Sequence, residues 1–275
     1  MADRAGREVD DFLSGASGQM GGIRATSRAV VQDAVCDAIA LARLTPWRLS
    51  RASRAWPRRR VLALAIERTD VPNLLQAARA ELQHSRHEVK FVTMDAGQGG
   101  KFENLNALLA AHPASGHDWL MILDDDVALP SGFLDHFVFL AERFGLRLAQ
   151  PAHRRRSHAA FALTRRRPNS IVRETRFVEI GPVAALHAAT FEALLPFPPL
   201  KAGWGLEAHW SAIAQAHGWP IGVIDAVPIR HGLRRIASSY DRDAAVAEGR
   251  AFLASRPYAP VSESQRTLAV HRSWR

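Results

Sequence analysis

Two periodicities divide this chain. Over residues 23–44 apolar side chains fall at Ile23, Val30, Val31, Ala34, Val35, Ala38, Ile39 and Leu41, close to a helical repeat with arginine and aspartate opposite. The spacing predicts one helix, ended by Pro46, which lacks an N–H and crowds the preceding turn. Residues 47–60, where Arg48, Arg51, Arg54, Arg58, Arg59 and Arg60 alternate with Trp47 and Trp56, then read as a basic linker. From residue 61 the pattern changes to short apolar runs between helical stretches. Residues 61–66, 89–94, 119–123 and 221–229 have strand length, whereas 71–82, 101–111, 131–144 and 206–217 have helical spacing, with Ser131 as an N-cap. Strands alternating with helices in this way predict an α/β fold, a mostly parallel sheet flanked by helices, preceded by a helical appendage. The expected division is 1–57 for appendage and linker, 58–255 for the α/β domain and 256–275 for a tail.

Composition narrows the function more than the fold. A chain of 275 residues with 47% hydrophobic content buries a sizeable core and is not a disordered polymer. Its net charge of +9 and pI near 10.9 call for an acidic partner, which phosphorylated small molecules, nucleic acid and anionic membrane all satisfy. The single cysteine, Cys36, excludes a disulfide framework and a multi-thiolate zinc site and fits a reducing compartment. No apolar run approaches the roughly 18 residues of a membrane span, and residues 1–11 carry charges where a secretory signal needs an apolar core. The expected location is cytoplasmic, with peripheral contact on the inner face of a membrane as one option.

Three of the strands end in polar stretches: Glu67-Arg-Thr-Asp70, Asp95 with its following glycines, and Asp124-Asp-Asp126. In open α/β sheets ligands bind outside the carboxyl ends of the strands. Strand alternation sends Asp124 and Asp126 to one side and Asp125 to the other. Such carboxylates repel unless a cation joins them, and hard Mg²⁺ or Mn²⁺ suits carboxylate oxygen; a plain acidic turn is the structural alternative.

The order of motifs resembles the GT-A nucleotide-sugar glycosyltransferases. Gly100-Lys-Phe-Glu-Asn-Leu-Asn106 looks like the Gly-Lys-x-x-x-Leu-Asn stretch of many family 2 members, Asp95 lies where that family often places a nucleobase-contacting acid, and the aspartate run resembles its D-x-D motif. Gly203-Trp-Gly-Leu-Glu207 is similar to the Gly-Trp-Gly-x-Glu of the β-1,4-galactosyltransferase group, and Ile229-Arg-His231 to its metal-binding Ile-Arg-His. A plant family of uncharacterised GT-A-like proteins resembles it too, in Gln150-Pro151, Phe177-Val-Glu-Ile180, Pro182-Val183 and Gly222 to Asp225. The resemblance implies a nucleoside diphosphate sugar donor, a carbohydrate, lipid-linked or other hydroxyl acceptor, and a divalent metal, Mn²⁺ or Mg²⁺. It implies Asp124, Asp126 and His231 at the metal, Asp95, Lys101, Asn106, Asp124, Asp125 and Trp204 at the nucleotide sugar, and Glu207 as base. Two places depart from the galactosyltransferase pattern. The aspartate that follows the glutamate there is Ala208 here, and a methionine ligand would fall on Pro228, so His231 acts with fewer protein partners.

The chemistry stands without the family name. Sugar transfer builds negative charge on the leaving diphosphate, which a metal on Asp126 and His231 would neutralise. Lys101 opens a helix whose free N–H groups favour anions. Glu207 opens another helix and can present a carboxylate to an acceptor hydroxyl; a single displacement then inverts the anomeric carbon. Each residue also has a structural reading: Glu207 as a first-turn acid, His231 as a satisfied core histidine, Lys101 as a solvated helix residue, Asp95 as a turn cap and Trp204 as core. His209 and Asp225 are alternative bases. The arginine clusters at 153–156, 164–167 and 58–60 come without a nucleic-acid-binding signature, which makes nucleic acid an unlikely partner; an anionic acceptor or a membrane surface fits them too. Two other functions remain open: nucleotidyl transfer to sugar phosphates, and non-catalytic binding of nucleotide sugars or nucleic acid.

Overall fold

The computed structural model describes residues 10–13, 23–97, 99–235 and 240–275. Parts of the 1–57 appendage, and Gln98 in the glycine turn after Asp95, lie outside them. Helix α1 (Ile23–Ala42) forms where the periodicity predicts it. The stretch read as a linker is instead a second helix, α2 (Thr45–Arg54), with Pro46 in its first turn. A first-turn N–H has no partner within the helix, so proline there starts a helix as readily as it stops one. Leu49 of α2 is buried in the main core. Beyond it, Trp56 Nε1 and the Arg59 guanidinium donate to the Glu142 carboxylate at 2.6 and 2.8 Å, and Trp119 Nε1 completes the cluster at 3.0 Å.

The α/β part then proceeds as β1 (Arg60–Glu67), α3 (Leu75–Gln83), β2 (Glu88–Asp95), α4 (Lys101–Ala111), β3 (Trp119–Asp124), β4 (Val127–Ala128), α5 (Phe133–Arg143) and β5 (Leu148–His153). Next come β6 (Val172–Thr175), β7 (Val183–His187), α6 (Phe191–Leu194), α7 (Leu206–Ala216), β8 (Ile221–His231), α8 (Arg242–Leu253), α9 (Val261–Ser264) and β9 (Thr267–His271). Helix α5 starts at Gly132, in a left-handed conformation, rather than at Ser131, because the Glu81 carboxylate reaches across to accept the Phe133 N–H at 3.1 Å. Residues 157–164 form a loop ending in a short 3-10 turn.

The sheet runs β2-β1-β3-β7-β5-β8-β6-β9, with β4 paired to β8. Strands β1, β2 and β3 are mutually parallel, β5 and β8 are parallel, and β6 and β7 run the other way. Side-chain alternation on β1 explains the two cores. Val61, Ala63 and Ala65 face the layer of α2, α3 and α5, while Leu62 and Leu64 face α4 and α7. With both faces covered, the polar ends of the strands are the positions left for chemistry. Glu67, Asp95, Asp124, His153 and His231 are the last residues of β1, β2, β3, β5 and β8, so strand direction brings them to one edge.

Candidate active site

Strand β3 delivers three acids to that edge, and each meets a different partner. Asp124 Oδ1 accepts from Lys101 Nζ at 2.6 Å, and Lys101 also reaches the Ile180 carbonyl at 3.4 Å. Gly181 covers this pair so closely that a Cβ there would stand 2.7 Å from Lys101 Nζ and 3.1 Å from Asp124 Oδ2. Asp126 Oδ2 accepts from His231 Nε2 at 3.0 Å and from Arg234 Nε at 3.3 Å. Asp125 pairs with Arg234 as well, and its other oxygen accepts the Arg68 N–H at 2.9 Å. Asp125 thus does not simply point away from its neighbours; it is a buried anchor for the loop after β1, sharing a guanidinium with Asp126.

The electrostatics follow from these contacts. Burial opposes charge on Asp126, but the His231 hydrogen bond and charge, with Arg234, outweigh it and hold the carboxyl below its ordinary range. His231 moves up for the same reason: burial disfavours its cation, and Asp126 more than compensates. Its Nδ1 faces the His158 carbonyl at 3.2 Å, which must accept, so Nδ1 carries a proton and Nε2 is the nitrogen turned to Asp126.

That arrangement bears on metal binding. An imidazole fixed through Nδ1–H on a carbonyl, with Nε2 beside a carboxylate, is the donor set a borderline divalent cation takes. Two ligands are present in that form. The three-ligand set of Asp124, Asp126 and His231 is not assembled: among the described residues no three such groups converge, and Asp124 is paired with Lys101. Asp126 and His231 therefore fit Mn²⁺ or Mg²⁺ only if water or donor phosphate completes the shell and the Nε2 proton leaves.

Glu207 feels the charge of Lys101, the partner of Asp124. Gly203 and Gly205 both have positive φ, at 81° and 89°, and a Cβ on Gly203 would lie 2.1 Å from the Phe102 ring, so the Gly-Trp-Gly turn needs its glycines on both counts. The turn sets Glu207 into the first turn of α7, 6% exposed, with Oε2 lacking any hydrogen-bond partner. Burial, with help from the Glu179 charge, pushes its pKa up to about 8. Trp204 Nε1 donates to the Tyr240 hydroxyl at 2.8 Å. Desolvation and, less strongly, the charges of Asp124 and Glu207 push the Tyr240 pKa up to about 12.

Other expected residues fall differently. Asp95 lies exposed at the end of β2, accepting from Thr69 Oγ1 at 2.7 Å and the Gly97 N–H at 2.9 Å, contacts that lower its pKa. Asn106 is not at the edge. Its amide exchanges two hydrogen bonds with the Phe197 backbone, at 2.7 and 2.9 Å, and ties α4 to the segment before α7. The first N–H groups of α4 are not open to an anion either: Gly100 donates to Glu103, Lys101 to the Lys201 carbonyl and Phe102 to that of Leu200. Asp225 is a fully buried partner of Arg173, at 2.7 Å, and His209 Nδ1 is taken by the Pro257 carbonyl at 2.6 Å, so neither is placed as a base.

The sequence assigns no role to Arg234, Tyr240 or Glu179, although Glu179 lies within the Phe177-Val-Glu-Ile180 stretch. Arg234 stands three residues past His231, where a basic pair after the Ile-Arg-His stretch was the available signal. Glu179 is buried, accepting from Thr164 Oγ1 and facing His153 Nε2 at 3.4 Å, and its charge is felt by Glu207. Tyr240 carried no local signal.

No protein-family profile and no curated protein sequence matches the chain. Among solved structures it is similar to the mannosyltransferase PcManGT from Pyrobaculum calidifontis in complex with GDP-Man and Mn²⁺, with a TM-score of 0.52 and 16% identity over 86% of this chain and 77% of that one. It also matches GalNAc-T7 with UDP, GalNAc and Mn²⁺, at a TM-score of 0.44 and 10% identity over 67% and 45% of the two chains. S. aureus TarS 1-349 in complex with UDP-GlcNAc gives 0.43 and 10% over 66% and 62%. The first likeness shows the fold: a GT-A-like mixed sheet between helical layers.

Proposed function

We propose that this chain transfers a sugar from a nucleoside diphosphate donor to a hydroxyl acceptor with the help of a divalent cation. One observation carries the reading: the Lys101–Asp124 and Asp126–His231 pairs stand together at the carboxyl end of β3, and the orphaned, buried Glu207 carboxyl feels the charge of Lys101. Held by Asp126 and His231, Mn²⁺ or Mg²⁺ would neutralise the charge that gathers on the departing diphosphate. Lys101 adds a fixed positive charge, released from Asp124 towards the donor phosphates, and Asp124 is then free for the ribose. Asp95, at the end of β2, is suited to the nucleobase. Trp204, held by Tyr240, offers an aromatic face to the sugar. Glu207 in its ionised form takes the acceptor proton; its pKa of about 8 makes it a stronger base than an ordinary carboxylate, and the ionised fraction grows as the pH rises towards that value. Attack opposite the leaving group inverts the anomeric centre.

The test is incubation with UDP-, GDP- and dTDP-sugars plus Mn²⁺ or Mg²⁺, following nucleoside diphosphate release with and without EDTA. Release from one donor class that EDTA suppresses is the expected result. If no donor binds and EDTA changes nothing, the proposal fails; consumption or release of pyrophosphate would make the protein a nucleotidyltransferase instead.

A further inference from the structure

Exposed apolar side chains crowd one end of the described chain. Ile23, Val30, Val31, Val35 and Leu41 are exposed on α1, and Leu44 and Trp47 extend the patch into α2; Ile23 is 87%, Leu41 64% and Trp47 63% exposed. At 3.6 residues per turn, Ile23, Val30, Ala34 and Leu41 centre a stripe about 110° round the helix from Ala29, Asp33 and Cys36, the residues that face the protein. A contiguous apolar surface of this kind marks a contact.

Its surroundings say with what. Beside the stripe runs a groove of about 370 Å³ lined by Arg24, Arg28, Arg155 and Arg165, with Arg24 and Arg28 standing on α1 between stripe and groove. The acids of the helix are both engaged by the protein, Asp33 buried and Asp37 paired while partly exposed. Asp33 accepts the N–H groups of Arg155 and Arg156 at 2.8 and 2.9 Å, and Asp37 pairs with Arg154 and Arg166. Residues 23–60 hold nine arginines and those two aspartates, so the outward charge has a single sign. A second copy of the chain fits poorly here, because two-fold pairing would set the arginine rows against each other. No described helix is long and apolar enough to cross a membrane, which leaves contact in the plane of the surface.

We infer that α1 seats the protein on an anionic bilayer, the apolar stripe entering the interface and the arginine groove receiving lipid phosphate. This goes beyond the sugar-transfer reading and does not depend on it. The test is sedimentation of the full chain with vesicles of phosphatidylcholine alone, or mixed in equal parts with phosphatidylglycerol. Binding to the mixed vesicles, weakened by salt, and little binding to the neutral ones are expected. Arg24→Ala with Arg28→Ala should lower the partition coefficient roughly fivefold per arginine. Val31→Asp with Leu41→Asp should abolish binding; both side chains are exposed, so the circular-dichroism melting curve stays unchanged. Equal binding to neutral vesicles, or variants that bind like the parent, would overturn the inference. So would displacement by inorganic phosphate at matched ionic strength, which means a free-phosphate site, or a dimer that the Asp variants convert to monomers, which means a second copy covers the stripe.

Discussion

Replacing Glu207 with glutamine separates the cost of this carboxyl from its use. Burial raises its pKa from 4.5 to about 8, and Oε2 has no partner. Between those two values the unfolded chain has released the proton that the folded chain keeps, so the unfolded state binds fewer protons and stability falls as pH rises through the window. At roughly 1.4 kcal/mol per pKa unit, the penalty grows from near zero around pH 4.5 to about 3 kcal/mol at neutrality and about 4–5 kcal/mol above pH 8. Glutamine resembles the protonated acid in shape and cannot ionise, so Glu207→Gln escapes the penalty. Urea titrations of both proteins near pH 5 and near pH 8.5 read the difference, since every other titrating group is common to the pair. The midpoints should lie close together at the acid end, with the variant the more stable by a few kcal/mol at the alkaline end. Sugar transfer by the variant should be lost while donor binding persists, and the parent's kcat/KM should climb with pH towards a pKa near 8. A stability difference that does not change with pH would refute the buried, neutral carboxyl; near-normal turnover would remove Glu207 from the chemistry.

Two further substitutions test the edge and its support. Asp126→Ala should weaken Mn²⁺-dependent donor binding at least roughly tenfold in calorimetric titration, whereas Asp125→Ala should act first on stability, by about 1–3 kcal/mol, because it strands the Arg68 N–H and half of Arg234's partners; the reverse ranking would show the two roles exchanged. Arg173→Leu leaves the Asp225 carboxylate buried without its cation and the Leu163 and Arg165 carbonyls without a donor, and should cost about 3–5 kcal/mol in urea unfolding. A loss below about 1 kcal/mol would mean that Asp225 is reached by water or protonated.

Much of the frame was legible because it is locally encoded. Apolar runs with turn residues between them place β1, β2 and β3 within a residue or two, and the Gly-Lys start of α4 and the Gly-Trp-Gly start of α7 mark those helices directly. Pro46 misled because the same chemistry that ends a helix suits the first turn of the next. The parts of the site that escaped are long-range. Asp125 anchors Arg68, fifty-seven positions away, and Asn106 serves Phe197, ninety-one away; no spacing rule reports such partners. Strand phase was also too simple for the acid run, since β3 ends at Asp124 and the next two residues turn, freeing Asp125 and Asp126 from alternation and letting one arginine reach both.

The clamp on α1 has a consequence for reach. Asp33 and Asp37 fasten the helix to residues 154–156 and to Arg166, and a few positions further on the His158 carbonyl holds His231. The same short stretch therefore braces the outer helix on one side and the carboxylate-bearing edge on the other. Whatever surface α1 rests on, the distance from that surface to Asp124 is a built-in stand-off, set when the chain folds. An acceptor anchored in such a surface would have to present its hydroxyl at that height, so selection among acceptors would begin with their length before any contact with the sugar-binding groups.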